Sequence, residues 1–347
     1  KLLYSCNGIN KIYVLVRDKN GKQAFDRLRA SRPEDLKKIV PVSGNVAKLD
    51  LGLTNDSLKR LEEEVSVVFH LAATVNFNVP LKEALEINVN GTQEVIQLCR
   101  RMKNLQALVH VSTAFSNSDR SEIDEVVYPL PVTLDHARNI KPNTYTYSKA
   151  FAEAVIMNES GDLPAAIVRP SIVISALKEP CPGWIDSWNG STGLFVGMPS
   201  GVLKVAIGRG HNVTDLIPVD LVTNLLIVAA TQCQSSEGLK VYNCCTGTSN
   251  PITCKGANDI ARKVALRHSL SKFIQIKLQN KLRKIVQAVK FFLLNQWEFS
   301  DNNVRSLHMA MSPQDKELFS VDVTAINWES CLQDYVLGAR KYLLKQV

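Results

Sequence analysis

The sequence predicts an α/β fold: a doubly wound, Rossmann-type parallel sheet followed by a mostly helical C-terminal part. Three observations carry that prediction. Five short runs, KIYVLVR (11–17), IVPVSGNV (39–46), VSVVFHLAA (65–73), ALVHVST (107–113) and AAIVRPS (165–171), are rich in Val, Ile and Ala. They are largely continuous rather than alternating, as strands covered by helices on both faces are. Amphipathic helical patterns separate them, and this alternation is that of parallel βαβ units. After about residue 240 the strand runs give way to helical patterns.

Taken in order, KLLYSCNGINKIYVLVR reads as the back of a first helix running into a second strand. A doubly wound nucleotide-binding sheet opens with a strand and a glycine-rich turn, and this chain shows neither. That fingerprint is expected just upstream of Lys1, so the chain reads as a fragment. Helices are expected over 55–64, 80–103 and 144–159, and VYNCCTG (241–247) reads as one more edge strand. From NPITCKGANDIARKVAL onward the pattern is helical. These features divide the chain into an α/β domain, 1–245, and a helical domain, 246–347.

The 347 residues are enough for a large domain with a smaller one. Apolar content of 45% and 21% charged residues describe an ordinary globular protein. The net charge of +8 suits a phosphate-rich ligand or an anionic membrane surface. No interleaved stripe of aromatic residues and arginine supports a nucleic-acid partner. The eight cysteines are scattered without a Cys-x-x-Cys pair, which predicts free thiols in a cytosol-facing protein and no metal. His70 and His110 sit in apolar runs and read as hydrogen-bonded core histidines. No apolar run approaches the ~18 residues of a membrane span. Leu278, Leu282, Ile285, Val289 and Phe292 share one helical face beside several basic residues. Such a helix either packs on the domain or lies on an anionic membrane.

The chemistry concentrates in NTYTYSKA (143–150), where Tyr145 and Lys149 are four apart and share a helix face. Tyr147 has Phe151 at the same offset, which predicts packing. HVSTAF (110–115) ends a strand with two hydroxyls, Ser112 and Thr113, where ligands of a doubly wound sheet bind. A phenol, an ammonium and a hydroxyl are thereby expected at one site. A nearby ammonium favours the phenolate and is expected to lower the tyrosine pKa toward the working range.

Ser112/Thr113 followed by Tyr145-x-x-x-Lys149 resembles the catalytic set of the extended short-chain dehydrogenase/reductases. More narrowly, the chain resembles the male-sterility type of fatty acyl-CoA reductase. The stretches that carry this are VVFHLAATVNFN, LEINVNGT, HVSTAFSN, NTYTYSKAFAE, IVRPSIV, EPCPGWIDSWNGSTGLFVG and DLIPVDLV, and NQWEFSDNNVRSL to WESCLQDYVLGARKYLL at the C-terminal end.

The resemblance implies NADPH-dependent reduction of a long-chain acyl-CoA to a fatty alcohol through an aldehyde. It gives Tyr145 the role of acid at the substrate carbonyl, and Lys149 that of tuning it and binding the nicotinamide ribose. Thr113 would hydrogen-bond the carbonyl oxygen, with Ser112 as its rival. Asn88 corresponds to an asparagine that orders the site, or else marks a capped or kinked helix position. Arg17 ends the second strand, where an arginine suits the 2′-phosphate of NADP, and Asp18 follows it. Asn45 and Val46 would flank the adenine, while Ala72 and Ala73 let the backbone approach the cofactor. Pro170, Ser171 and Ile172 resemble the segment against the nicotinamide. Asp220 reads as a helix N-cap. The family also implies a cytosol-facing position at the endoplasmic reticulum or peroxisome membrane. Two rivals remain: another extended reductase or epimerase acting on a steroid or nucleotide sugar, and a non-catalytic binding protein.

Overall fold

Each expected apolar run forms a strand, because a chain buried on both faces must pair its backbone polar groups along a ladder. The computed structural model describes residues 1–17, 35–77, 79–130, 143–188, 192–193, 208–234, 238–268 and 290–345. Strands β1 (Ile12–Val16) and β2 (Ile39–Ser43) pair in parallel. Strands β3 (Val67–His70), β4 (Ala107–Val111), β6 (Ala165–Pro170) and β9 (Lys240–Cys244) form a second, four-stranded parallel sheet in the order β3-β4-β6-β9. Among the described residues no strand joins β1 to β3. In the doubly wound order that place belongs to the strand that carries the glycine-rich turn.

Short pairs that the sequence did not announce complete the strands. β5 (Glu122–Ile123) pairs with β10 (Glu298–Phe299), and β7 (Ile172–Ile174) with β8 (Leu216–Pro218). The helices flanking the sheets are α1 (Leu2–Ser5), α2 (Asn55–Glu64), α3 (Leu81–Leu85), α4 (Gly91–Arg101), α5 (Thr144–Glu159) and α6 (Val219–Gln232). Thr54 caps α2 and Asn143 caps α5, each side chain accepting an amide N–H of the first turn. A π turn, Glu86–Asn90, joins α3 to α4, so the expected helix over 80–103 is present with an irregular middle.

The C-terminal part contributes α7 (Cys254–Arg267), α8 (Asn302–Ala310), α9 (Pro313–Leu318) and α10 (Trp328–Gly338). Its other described elements are β10 and short 3₁₀ and π turns. The sequence break at 245/246 is no break in packing. One core cluster joins Val109 and Val168 of the sheet and Leu225 of α6 to Leu307, Leu332 and Tyr335 of the C-terminal helices. A second cluster, with Ile96 and Ile156, lies on the other face. Gly338 shows how tightly the parts meet: a Cβ there would collide with the Gly183 carbonyl.

No helix of the described residues is long and apolar enough to cross a membrane. Of the basic amphipathic face, Leu278, Leu282, Ile285 and Val289 lie outside the described residues, as does Asp18.

Candidate active site

Helix α5 brings the chemistry together. Asn143 Oδ1 accepts the Thr146 N–H at 3.0 Å and fixes the first turn, on which Tyr145 and Lys149 follow. The Tyr145 phenol is hydrogen-bonded to Thr113, at the end of β4, and burial pushes its pKa up to about 12. Burial likewise pushes the Lys149 ammonium down to about 8, opposed by the carboxylate of Glu153. The expected depression of the Tyr145 pKa by Lys149 is therefore not what this geometry produces: desolvation dominates, and Lys149 Nζ donates to the Val111 carbonyl at 2.7 Å. Tyr147 packs against Phe151, ring centroids 4.7 Å apart.

The two hydroxyls at the end of β4 separate. Ser112 Oγ donates to Glu153 Oε1, which also accepts from Ser116 Oγ and Arg169 Nε, both at 2.9 Å. The Arg169 guanidinium holds the other carboxylate oxygen at 2.7 Å and donates to the carbonyls of Asp124 and Val126. Thr113 is the hydroxyl at the phenol, and Ser112 belongs to this buried scaffold. Sequence reasoning passed over Glu153 and Arg169. The signal was there: Glu153 stands four residues after Lys149, and Arg169 interrupts an apolar strand.

Asn88 stands at an irregular helix position and is buried. It lies in the π turn, its Oδ1 accepts the Thr74 N–H at 2.8 Å, and its Nδ2 donates to Thr74 O and to Ser148 Oγ, the latter at 2.8 Å. It thus ties the segment after Ala72 and Ala73 to α5. Val46 meets the start of α4 so closely that a Cβ on Gly91 would lie 2.8 Å from the Val46 carbonyl. Asn45 closes a turn on the Ala47 N–H, and Arg17 is exposed just past β1. Arg17, Asn45, Val46, Ala72, Ala73, Pro170, Ser171 and Ile172 all stand at or after the carboxyl ends of strands.

Two further expectations need correction. Asp220 is not the N-cap of α6; Pro218 holds that position, and the Asp220 carboxylate accepts the amides of Leu177, Lys178 and Glu179. Three loop amides outcompete the helix's own, because the loop otherwise leaves them without partners. His70 does hydrogen-bond, to Thr92 Oγ1 at 3.1 Å, but neither ring nitrogen of the buried His110 has a partner. Burial, with the nearby Lys149 charge, lowers the pKa of both histidines, that of His70 to about 3.

A cavity of about 630 Å³ opens beside Tyr145 and Thr113. Ser171 and Ile172 also line it, with Val75, Phe77, Ile174, Trp184, Ile185 and Phe292. Phe77 stacks on Tyr145 at 5.6 Å between centroids, and Phe292 packs against Phe77 and Phe115. Arg17, Asn45, Val46, Ala72 and Ala73 do not line this cavity.

Parallel strands with the candidate residues past their carboxyl ends, and a Tyr–Lys helix beside them, give a Rossmann-type α/β fold. The comparisons narrow this. The chain matches the Male sterility protein family in its NAD-binding part over residues 1–226 and in its Sterile part over residues 260–346. It is 33% identical to fatty acyl-CoA reductase 1 of Homo sapiens and 32% identical to fatty acyl-CoA reductase 2 of Mus musculus, over the whole chain and 82% of each relative. The terminal R domain of a myxalamid PKS-NRPS pathway has a similar fold, with a TM-score of 0.74 at 20% identity, covering 98% of this chain and 86% of that one. The UDP-glucuronic acid 4-epimerase of Bacillus cereus, solved with NAD, has a TM-score of 0.56 at 14% identity, over 88% and 80% of the two chains. The chain belongs to the male-sterility family of fatty acyl-CoA reductases, and is an oxidoreductase with a nicotinamide-cofactor domain.

Proposed function

We propose that this protein reduces long-chain fatty acyl-CoA to fatty alcohol through an aldehyde, using NADPH. One observation carries the reading: the Tyr145–Thr113 pair stands in the wall of a largely apolar cavity large enough for an alkyl chain. Such a wall has little to offer a sugar and much to offer methylenes, each worth about 0.8 kcal/mol when buried.

The residues present fit a nicotinamide dinucleotide. Lys149 is buried, and among the described residues it uses one of its three N–H donors, on Val111 O. The other two suit the ribose hydroxyls. Pro170, Ser171 and Ile172 would lie against the nicotinamide, Asn45 and Val46 about the adenine, and Ala72 and Ala73 beneath the backbone of the cofactor. Asn88 would hold the Thr74 segment that follows them. Arg17, exposed and positively charged, suits a 2′-phosphate and supports NADPH over NADH. When bound, the cofactor supplies hydride to the substrate carbonyl.

Reduction places negative charge on one oxygen in each of the two steps, thioester to aldehyde and aldehyde to alcohol. Tyr145 is the acid for both. Its raised pKa keeps the phenol protonated at neutral pH, which is the form a proton donor must start in. Thr113 donates a hydrogen bond to the same developing oxyanion. After the first step coenzyme A leaves as the thiol, and the aldehyde stays against Tyr145 for the second. We place the reductase part at 1–245 and the helical part at 246–347, and we infer a cytosol-facing position at the endoplasmic reticulum or peroxisome membrane.

The test supplies the purified chain with palmitoyl-CoA and NADPH and identifies products by mass spectrometry, with a UDP-sugar as the negative arm. Hexadecanol, made with two cofactor molecules consumed per alcohol, is the expected result. Saturable NADPH binding without turnover of any acyl-CoA would falsify the reading.

A further inference from the structure

We propose that Arg209 and Lys255 form an anion subsite on the rim of this cavity that takes the phosphates of the coenzyme A half of the substrate. The proposal rests on the acyl-CoA reading above and gives the substrate a direction. Both residues line the same cavity as Tyr145 and Thr113. Both are exposed, whereas Ile174 and Ile185 of the lining are buried. The cations therefore stand where the cavity meets solvent, as Val75 and Val173 of the lining also do, and Ile174 and Ile185 lie deeper in.

The backbone holds the two cations together. The Lys255 N–H donates to the Gly210 carbonyl at 2.9 Å, and the Cys254 N–H to the Asn212 carbonyl at 2.8 Å. From the other side, the Arg209 N–H donates to the Leu293 carbonyl at 3.0 Å, next to Phe292 of the aromatic wall. Lys255 also lies in the first turn of α7, whose N-terminal dipole adds to the positive field. Among the described residues no ion pair engages either side chain. Among the described residues the lining contains one carboxylate, Asp186, against these two cations.

An acyl-CoA is an alkyl chain and a polyanion joined by a neutral pantetheine arm, and the cavity offers buried apolar side chains to the first and exposed cations to the second. A bare fatty aldehyde would leave the two cations unused. Of the residues proposed for NADPH, Ser171 and Ile172 line this cavity at the uncharged nicotinamide, whereas Arg17, Asn45, Val46, Ala72 and Ala73 lie outside it, so the subsite answers to a second anion.

The test compares the full chain with its R209A/K255A variant on palmitoyl-CoA and on palmitoyl-pantetheine, which keeps the thioester but has no phosphate. Binding of coenzyme A itself is followed by calorimetry. The wild type should favour the CoA ester. In the variant, KM for palmitoyl-CoA should rise about tenfold, the scale of two exposed cation–phosphate contacts. Coenzyme A affinity should fall by a similar factor, and the preference between the two thioesters should collapse toward one. Added salt should weaken coenzyme A binding to the wild type in the same direction. A variant that keeps both the preference and the coenzyme A affinity overturns the subsite and leaves the acyl-CoA reading standing. A wild type inactive on both thioesters overturns that reading and the subsite with it.

Discussion

Helix α5 carries two buried charged side chains one turn apart, Lys149 and Glu153, and the fold treats them differently. Glu153 accepts from Ser112, Ser116 and both ends of the Arg169 guanidinium, so its oxygens are saturated. Among the described residues Lys149 makes one bond, to Val111 O, and its ammonium is pushed down to about 8. A saturated buried charge is scaffold, because every partner is already fixed. An ammonium with donors to offer is what the proposed site needs, because a ligand can complete it.

Substitutions can break or sharpen that contrast. The largest effect belongs to Tyr145→Phe, which removes the proposed acid from the site half of the helix. Turnover of acyl-CoA should fall by about 10²–10⁴-fold, with the unfolding transition nearly unmoved. A variant that keeps most of its activity would end the assignment. On the scaffold half, Arg169→Met strands the Glu153 carboxylate in the core and should cost about 3–5 kcal/mol in urea unfolding. The double variant E153M/R169M should recover part of that loss; if it does not, the pair is not the unit described here.

Acid tests the same core next. The folded pKa of His70 is about 3, well below the unfolded value, and that of His110 is lowered as well. Both rings must therefore stay neutral for the chain to remain folded. Their stability contribution is complete above about pH 6.5 and is lost as pH falls below it. His70 alone should cost about 2 kcal/mol by about pH 5, read as an earlier urea midpoint. His70→Gln should flatten that limb.

Thr113→Val should lower kcat about tenfold by removing one hydrogen bond to the oxyanion. Ser112→Ala should instead act on stability, since its hydroxyl serves Glu153. Equal kcat losses in the two would undo the separation of the hydroxyls. Smallest is Asn143→Ala, which removes the cap of α5 and should cost about 1 kcal/mol, detectable as a lower Tm.

Much of the fold was legible in the chain. Helices 55–64 and 144–159 match the residues their patterns marked, and each apolar run contains its strand. Periodicity and capping are local, so they survive without tertiary context. The pairs β5–β10 and β7–β8 were not legible, because two- and three-residue strands carry no periodic signal and exist only when distant segments meet. The candidate site divides likewise. The Tyr145–Lys149 spacing and the Ser112–Thr113 doublet could be read directly. Which hydroxyl meets the phenol could not, since that depends on Glu153 claiming Ser112 from across the core.

The sequence by itself determined the parallel α/β class, the helical C-terminal part and the residues available for chemistry, because these follow from side-chain period and covalent order. Only the tertiary structure decided their states. It buried Tyr145 so that its pKa rises rather than falls, and gave the Asp220 carboxylate to a loop instead of a helix end. It also set Arg209 and Lys255 on the rim of the cavity that holds Tyr145. Desolvation and hydrogen-bond competition act through space, and distance along the chain does not record them.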